Sequence, residues 1–179
     1  MKEILSPGQR RSIRIPGFDY ADTDSYFVTI VSYKRLNLFG DIRNGIVILN
    51  QMGKVVTDTW LDIPIHFPKV SNEVFIVMPN HVHGILTISN DTVGATHESP
   101  LLQRQAKGPP PGSLGATIES FKSSVMRKIH QSWISSPEKI WQRNYYEHII
   151  RDEEDYQNKV EYILTNPINW EIDKEYSPS

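Results

Sequence analysis

The chain contains no cysteine, and that absence removes several chemistries at once: disulfides, thiolate zinc sites and cysteine nucleophiles. It fits a reducing cytoplasm. No apolar run reaches the ~20 residues needed to span a bilayer. Residues Met1 to Arg14 are polar and basic and lack the apolar stretch of a secretory signal. The expectation is a protein of the cytoplasm with no membrane partner. There is no GxxxxGK[ST] loop to cradle nucleotide phosphates, so ATP-driven chemistry finds no support. A strong excess of positive charge is missing too. The net charge is −2 over 179 residues, whereas a protein that coats duplex DNA without selectivity is strongly basic.

What is present is uneven charge on a chain of single-domain length. Arg10, Arg11 and Arg14 crowd the start, Lys34 and Arg35 follow an apolar run, and Lys122, Arg127 and Lys128 share one stretch. Ordinary apolar and charged fractions argue for a packed core. One domain over 1–179 is expected, with a proline-rich loop at about 90–112 around Gly108-Pro109-Pro110-Pro111-Gly112.

Periodicity sketches the elements. Tyr26 to Tyr33 (YFVTIVSY) reads as a buried strand, and Gly45 to Met52 as another. Lys54 to Ile65 reads as a helix limited by Pro64 and Pro68. Val74 to Ile88 carries the strongest strand signal, bent at Pro79 and Asn80. Ser113 to His130 places Leu114, Ile118, Phe121, Val125 and Ile129 on one helical face. A tight segment, Trp141 to Ile150, leads to a final helix from Asp152 to Asn166, stopped by Pro167. An α+β fold with an antiparallel sheet under helices follows.

Two features carry chemistry. In Met78-Pro79-Asn80-His81-Val82-His83-Gly84, residues two apart on a strand share a face, so His81 and His83 project together. Val74, Ile76, Met78, Val82, Leu86 and Ile88 are assigned to the opposite, apolar face. Two neutral imidazoles so placed can converge on one divalent cation. In the final helix, Tyr156, Val160, Ile163 and Leu164 form an apolar arc, while Tyr162 falls opposite with Asp155, Asn158, Lys159 and Asn166. Tyr162 and Asn166 stand one turn apart. Tyrosine is common, with eight in the chain. Tyr156 faces the core, but Tyr145 and Tyr146 remain rival nucleophiles on helix geometry alone.

The HIS-hydrophobic-HIS strand followed by a single-tyrosine helix resembles the HUH single-tyrosine transposases, and within them the REP-associated tyrosine transposases. The stretches RSIRIPG before YFVTI, MPNHVHGI, GSLGATIESFKS, and WQRNYYEHIIRDEEDY through VEYILTNP carry the likeness from Arg11 to about Trp170. It implies a ferredoxin-like, RRM-like palm with helices on one face of the sheet and the active site on the other. It implies Mg²⁺ or Mn²⁺ on His81 and His83, with Asn166 as third, amide-type ligand. Tyr162 would be the nucleophile of a single-stranded DNA endonuclease and strand-transferase working through a 5′-phosphotyrosine. The implied partner is hairpin DNA of the REP palindrome kind, bound by a monomer or homodimer. His148 and Arg151 match an EHxIR-like stretch assigned to phosphate binding or helix positioning. Arg10, Arg11, Arg14 and Lys122 are the candidates for DNA-backbone contacts. Two other readings stand beside this one: a catalytically inactive hairpin-binding module, and a metal-dependent phosphodiesterase that activates water.

Overall fold

The computed structural model describes residues 23–89, 109–132 and 136–172. The chain runs β1 (Thr23–Val31), a 3-10 turn (Tyr33–Arg35), β2 (Gly40–Arg43), β3 (Ile46–Leu49), α1 (Gln51–Leu61), α2 (Ile63–His66), β4 (Val70–Val77), β5 (His81–Ser89), α3 (Leu114–Ser132), β6 (Tyr146–Ile150) and α4 (Glu153–Thr165). A 3-10 turn, Trp170–Ile172, follows α4. Strands β4, β5, β1 and β6 form one antiparallel sheet in that order, while β2 and β3 pair separately. With the small hairpin set aside, the path is βαββαβ with the first and third sheet strands adjacent at the centre, the ferredoxin-like arrangement.

Alternation divides the sheet into two faces. Val28, Ile30, Val82 and Leu86 point to α1 and α3, meeting Val56, Trp60, Ile118, Phe121 and Val125 in the larger core. Phe27 and Ile85 point the other way, onto Tyr156, Val160 and Ile163 of α4. The antiparallel sheet with helices against it is as expected. The tyrosine helix, however, shares the face of the histidine pair instead of joining the other helices.

Val74 to Ile88 is not one bent strand. Met78, Pro79 and Asn80 turn the chain back, so β4 and β5 pair antiparallel with Ile76 opposite His83 and Val77 opposite Val82. A register shift between Asn72 and Phe75 changes the parity again. The turn alone puts Val74 and Ile76 on the α4 side, a correction to the apolar face assigned above. A single parity cannot be carried through a turn and a bulge. Strand β6 is a second difference. Its sequence, YEHII, has too little alternation to declare itself, and it is defined by pairing with β1 from Ser25–Ile150 to Thr29–Tyr146.

Gly84, next to the second histidine, is set by packing. A Cβ there would collide with the Trp60 ring and stand 3.1 Å from the Phe75 Cβ. Trp60 is fully buried, stacked on Phe75 and edge-on to Phe121. We expect Gly84→Ala to destabilise the fold by about 1–3 kcal/mol through overpacking, read as a lowered urea midpoint at unchanged slope.

Candidate functional site

On β5 the alternating set His81, His83, Ile85 and Thr87 pairs across to Val31, Thr29, Phe27 and Ser25 of β1. Parity thus delivers both imidazoles to one face, with ring centroids 4.2 Å apart. Both are buried, at 0% and 2% exposure. A buried imidazole needs a reason, and its ring nitrogens supply one.

The Asn80 amide donates from Nδ2 to the Arg35 carbonyl at 3.1 Å, which turns its Oδ1 toward His81 Nδ1 at 2.9 Å. A carbonyl oxygen can only accept, so His81 carries its proton on Nδ1 and presents a lone pair at Nε2. That Nε2 is buried and meets no hydrogen-bond partner at good geometry. Burial first, and the Arg35 guanidinium second, push His81 down to about 3, against a smaller upward pull from the Asn166 side chain. The ring is therefore neutral at ordinary pH. His83 is held through Nδ1 by the Thr29 hydroxyl at 2.9 Å. Fixing one ring nitrogen by a hydrogen bond, which sets the orientation and tautomer of the ring, is how proteins prepare metal-binding histidines.

The depressed His81 value is also a stability statement. Between about 6.5 and about 3 the unfolded chain binds a proton at His81 that the folded chain refuses, so this residue removes stability as pH falls through that window. In chelator, wild type should lose more melting temperature between pH 7.5 and 5 than His81→Gln does. Equal losses would contradict the assignment.

Helix α4 supplies the rest. Asp152 caps it, its carboxylate accepting from the Asp155 N–H at 2.8 Å, and acids Glu153, Glu154 and Asp155 fill the positive first turn. Tyr156, Val160 and Ile163 are buried as the arc requires, while Leu164 is exposed. The fully buried Tyr156 donates its hydroxyl to Glu73 at 2.5 Å, fixing the helix on β4. This seats Tyr162, 39% exposed, with its ring 5.1 Å from His83 and 5.9 Å from Phe27. Asn166 is the C-cap of α4, and its buried side chain acts on His81. Trp170 then tilts over His81 at 5.9 Å and closes that end.

The structure thus brings His81, His83, Tyr162 and Asn166 together. Among the described residues no group of three His, Cys, Asp or Glu is arranged for a metal ion. The available set is two imidazole nitrogens and an amide, which suits a divalent cation that accepts mixed nitrogen and oxygen donors.

The other candidates make different contacts. Lys122 gives its ammonium to the carbonyls of Gln142, Arg143 and Asn144 at 3.0, 3.3 and 3.0 Å, and burial lowers it to about 8. It staples the approach to β6. His148 Nε2 meets Asp155 Oδ2 at 2.7 Å, linking β6 to the first turn of α4. Burial raises the Asp155 carboxyl, but hydrogen bonds from His148 and the Arg151 N–H, with the nearby His148 and Lys159 charges, bring it below its ordinary value. Arg151 is exposed at that junction. Arg10, Arg11 and Arg14 lie outside the described residues, as does all of the expected loop before Pro109. Of the rival tyrosines, Tyr145 packs against the larger core. Burial and the Glu147 carboxylate push its phenol up to about 12. Tyr146 faces the same cleft as Tyr162 and is 57% exposed.

The fold is shared with a transposase of known structure. A solved structure of a REP-associated tyrosine transposase bound to a REP hairpin superposes with a TM-score of 0.55 at 18% identity, covering 92% of this chain and 74% of that one. At that identity the likeness concerns the fold. The chain belongs to the same family as an uncharacterized protein of Haemophilus influenzae (strain ATCC 51907 / DSM 11121 / KW20 / Rd), with which it is 41% identical over 173 residues, 93% of each. No known family profile matches it, and among the described residues no helix is long and apolar enough to cross a membrane.

Sequence reasoning missed Asn80, Thr29 and Trp170. Asn80 directly precedes the histidine strand, and Thr29 follows Phe27 by two in β1, so alternation offered a signal for Thr29. Trp170 had none, because its position depends on the turn after α4.

Proposed function

We propose that the protein is a transposase-like endonuclease and strand-transferase for single-stranded, hairpin-bearing DNA, acting through a 5′-phosphotyrosine on Tyr162. The carrying observation is the seating of Tyr162 against His83 on the face where His81 holds a buried, unprotonated Nε2. His81, His83 and Asn166 would hold Mg²⁺ or Mn²⁺. Such a cation neutralises charge on the phosphate under attack.

The remaining work belongs to the side chains. Thr29 and Asn80 fix the rings, and Tyr156 with Glu73 fixes the helix that presents the phenol. Tyr162 Oη bonds to phosphorus as the bond to the 3′-oxygen breaks. The phenol gives up one proton and the 3′-oxygen gains one, so protons balance. One phosphoester replaces another, which requires no nucleotide and leaves the step reversible. Exposure of Tyr146 in the same cleft makes it the rival nucleophile; the contact between Tyr162 and His83 favours Tyr162. The transposase of like fold is bound to a REP hairpin, and that supports hairpin DNA as the substrate class here. Arg10, Arg11 and Arg14 are the proposed backbone contacts.

The test incubates the protein with Mn²⁺ and hairpin DNA labelled 3′ of the cleavage site, followed by a denaturing gel. Label on the protein, abolished by chelator, is the expected result. Cleaved DNA without labelled protein would mean activated water. Hairpin binding with neither product would mean a binding module.

A further inference from the structure

We propose that Lys159 is a phosphate-binding catalytic residue: its ammonium holds the phosphate under attack by Tyr162 from the side away from the histidine pair. The inference rests on the functional reading above and adds a residue and a subsite to it.

Lys159, Tyr162 and Asn166 are spaced i, i+3 and i+7, one stripe along α4. Each meets its own counterpart on the sheet. The Asn166 side chain acts on His81, the Tyr162 ring stands 5.1 Å from that of His83, and Lys159 Nζ lies 5.3 Å from the centre of Phe27. Phe27 is the floor common to all three groups near the phenol, 5.4 Å from His83 and 5.9 Å from Tyr162 between centroids. A cleft of about 280 Å³ opens above it, with His83, Tyr162, Lys159 and Tyr146 among its walls.

A half-buried lysine ordinarily carries its ammonium to water along a flexible stem. Here the ammonium sits over an aromatic ring inside the cleft. It is also the sole cation within Glu153–Thr165, a helix with four acids. The nearest of these one turn back, Asp155, feels the Lys159 charge but makes its side-chain hydrogen bond to His148 at 2.7 Å. An anionic phosphate beside Tyr162 would otherwise face acidic helix surface. With Lys159 in place, the phosphate oxygens find a donor-rich point charge on one side of the phenol and the histidine site on the other. Preorganised charge of this kind acts most strongly as charge redistributes at the reacting phosphate.

Single-turnover adduct formation at saturating Mn²⁺ and hairpin DNA, beside hairpin affinity and melting temperature, tests the assignment with Lys159→Gln and Lys159→Arg. The expected result is a rate lower by about 10²-fold in Lys159→Gln, with hairpin affinity falling much less than the rate, melting temperature little changed, and substantial recovery in Lys159→Arg. A Lys159→Gln rate equal to wild type overturns the proposal while leaving the functional reading intact. Equal loss in both variants with a lowered melting temperature overturns it in favour of a packing role. Absence of any Tyr162-linked adduct in wild type overturns both the reading and this extension.

Discussion

Tyr162→Phe should abolish the protein–DNA adduct, lowering its rate of formation by at least about 10³-fold, the scale seen when a nucleophile is deleted, while hairpin affinity stays near wild type. The substitution removes one oxygen from a side chain that is 39% exposed, so the fold should be retained, which a melting curve on the variant checks. The ring keeps its edge contacts with Phe27 and His83. Binding and chemistry therefore separate cleanly in this variant. Tyr146→Phe is the informative partner, because Tyr146 opens on the same cleft. It should retain the adduct. Loss in Tyr146→Phe with retention in Tyr162→Phe would move the nucleophile from the helix to β6. Densitometry of labelled protein over a time course, with filter binding alongside, measures both quantities.

The second large effect concerns the histidines. His81→Ala and His83→Ala should each reduce Mn²⁺-supported cleavage by at least about 10²-fold. They should also weaken Mn²⁺ binding measured calorimetrically without DNA. Asn80→Ala tests the orientation argument separately. It leaves both rings in place but removes the oxygen that holds the His81 proton on Nδ1, and metal affinity should fall by about 10–100-fold, the usual cost of losing such a supporting hydrogen bond. Asn80 also carries the Arg35 carbonyl, so circular dichroism must show the variant folded. Unchanged Mn²⁺ affinity in folded His81→Ala would remove the metal from the account.

The site was legible where local geometry decides it. Strand alternation places His81 beside His83 whatever the fold, and 3.6-residue periodicity separates Tyr156 and Val160 from Tyr162. It failed where distant chain decides. Val74 and Ile76 went to the wrong face because the turn at Pro79 reset the parity between β4 and β5. Strand β6 exists by virtue of β1, which supplies its partners. Lys122 looked like a surface cation in a basic stretch, yet its ammonium is enclosed by three carbonyls from a segment twenty residues onward. The apolar arc of α4 was visible, but not that it would settle on the histidine face. That choice decides the site, since it carries Lys159, Tyr162 and Asn166 past Phe27, His83 and His81 in order.

The most direct measurement of the central claim is the identity of the residue that carries DNA. Trypsin separates the competing tyrosines: Tyr145 and Tyr146 fall in peptide 144–151, Tyr156 in 152–159, and Tyr162 is alone in 160–174. After nuclease trimming of the adduct, mass spectrometry should find a nucleotide mass added to peptide 160–174, fragmenting at Tyr162. The same mass on peptide 144–151, with 160–174 unmodified, would contradict the account.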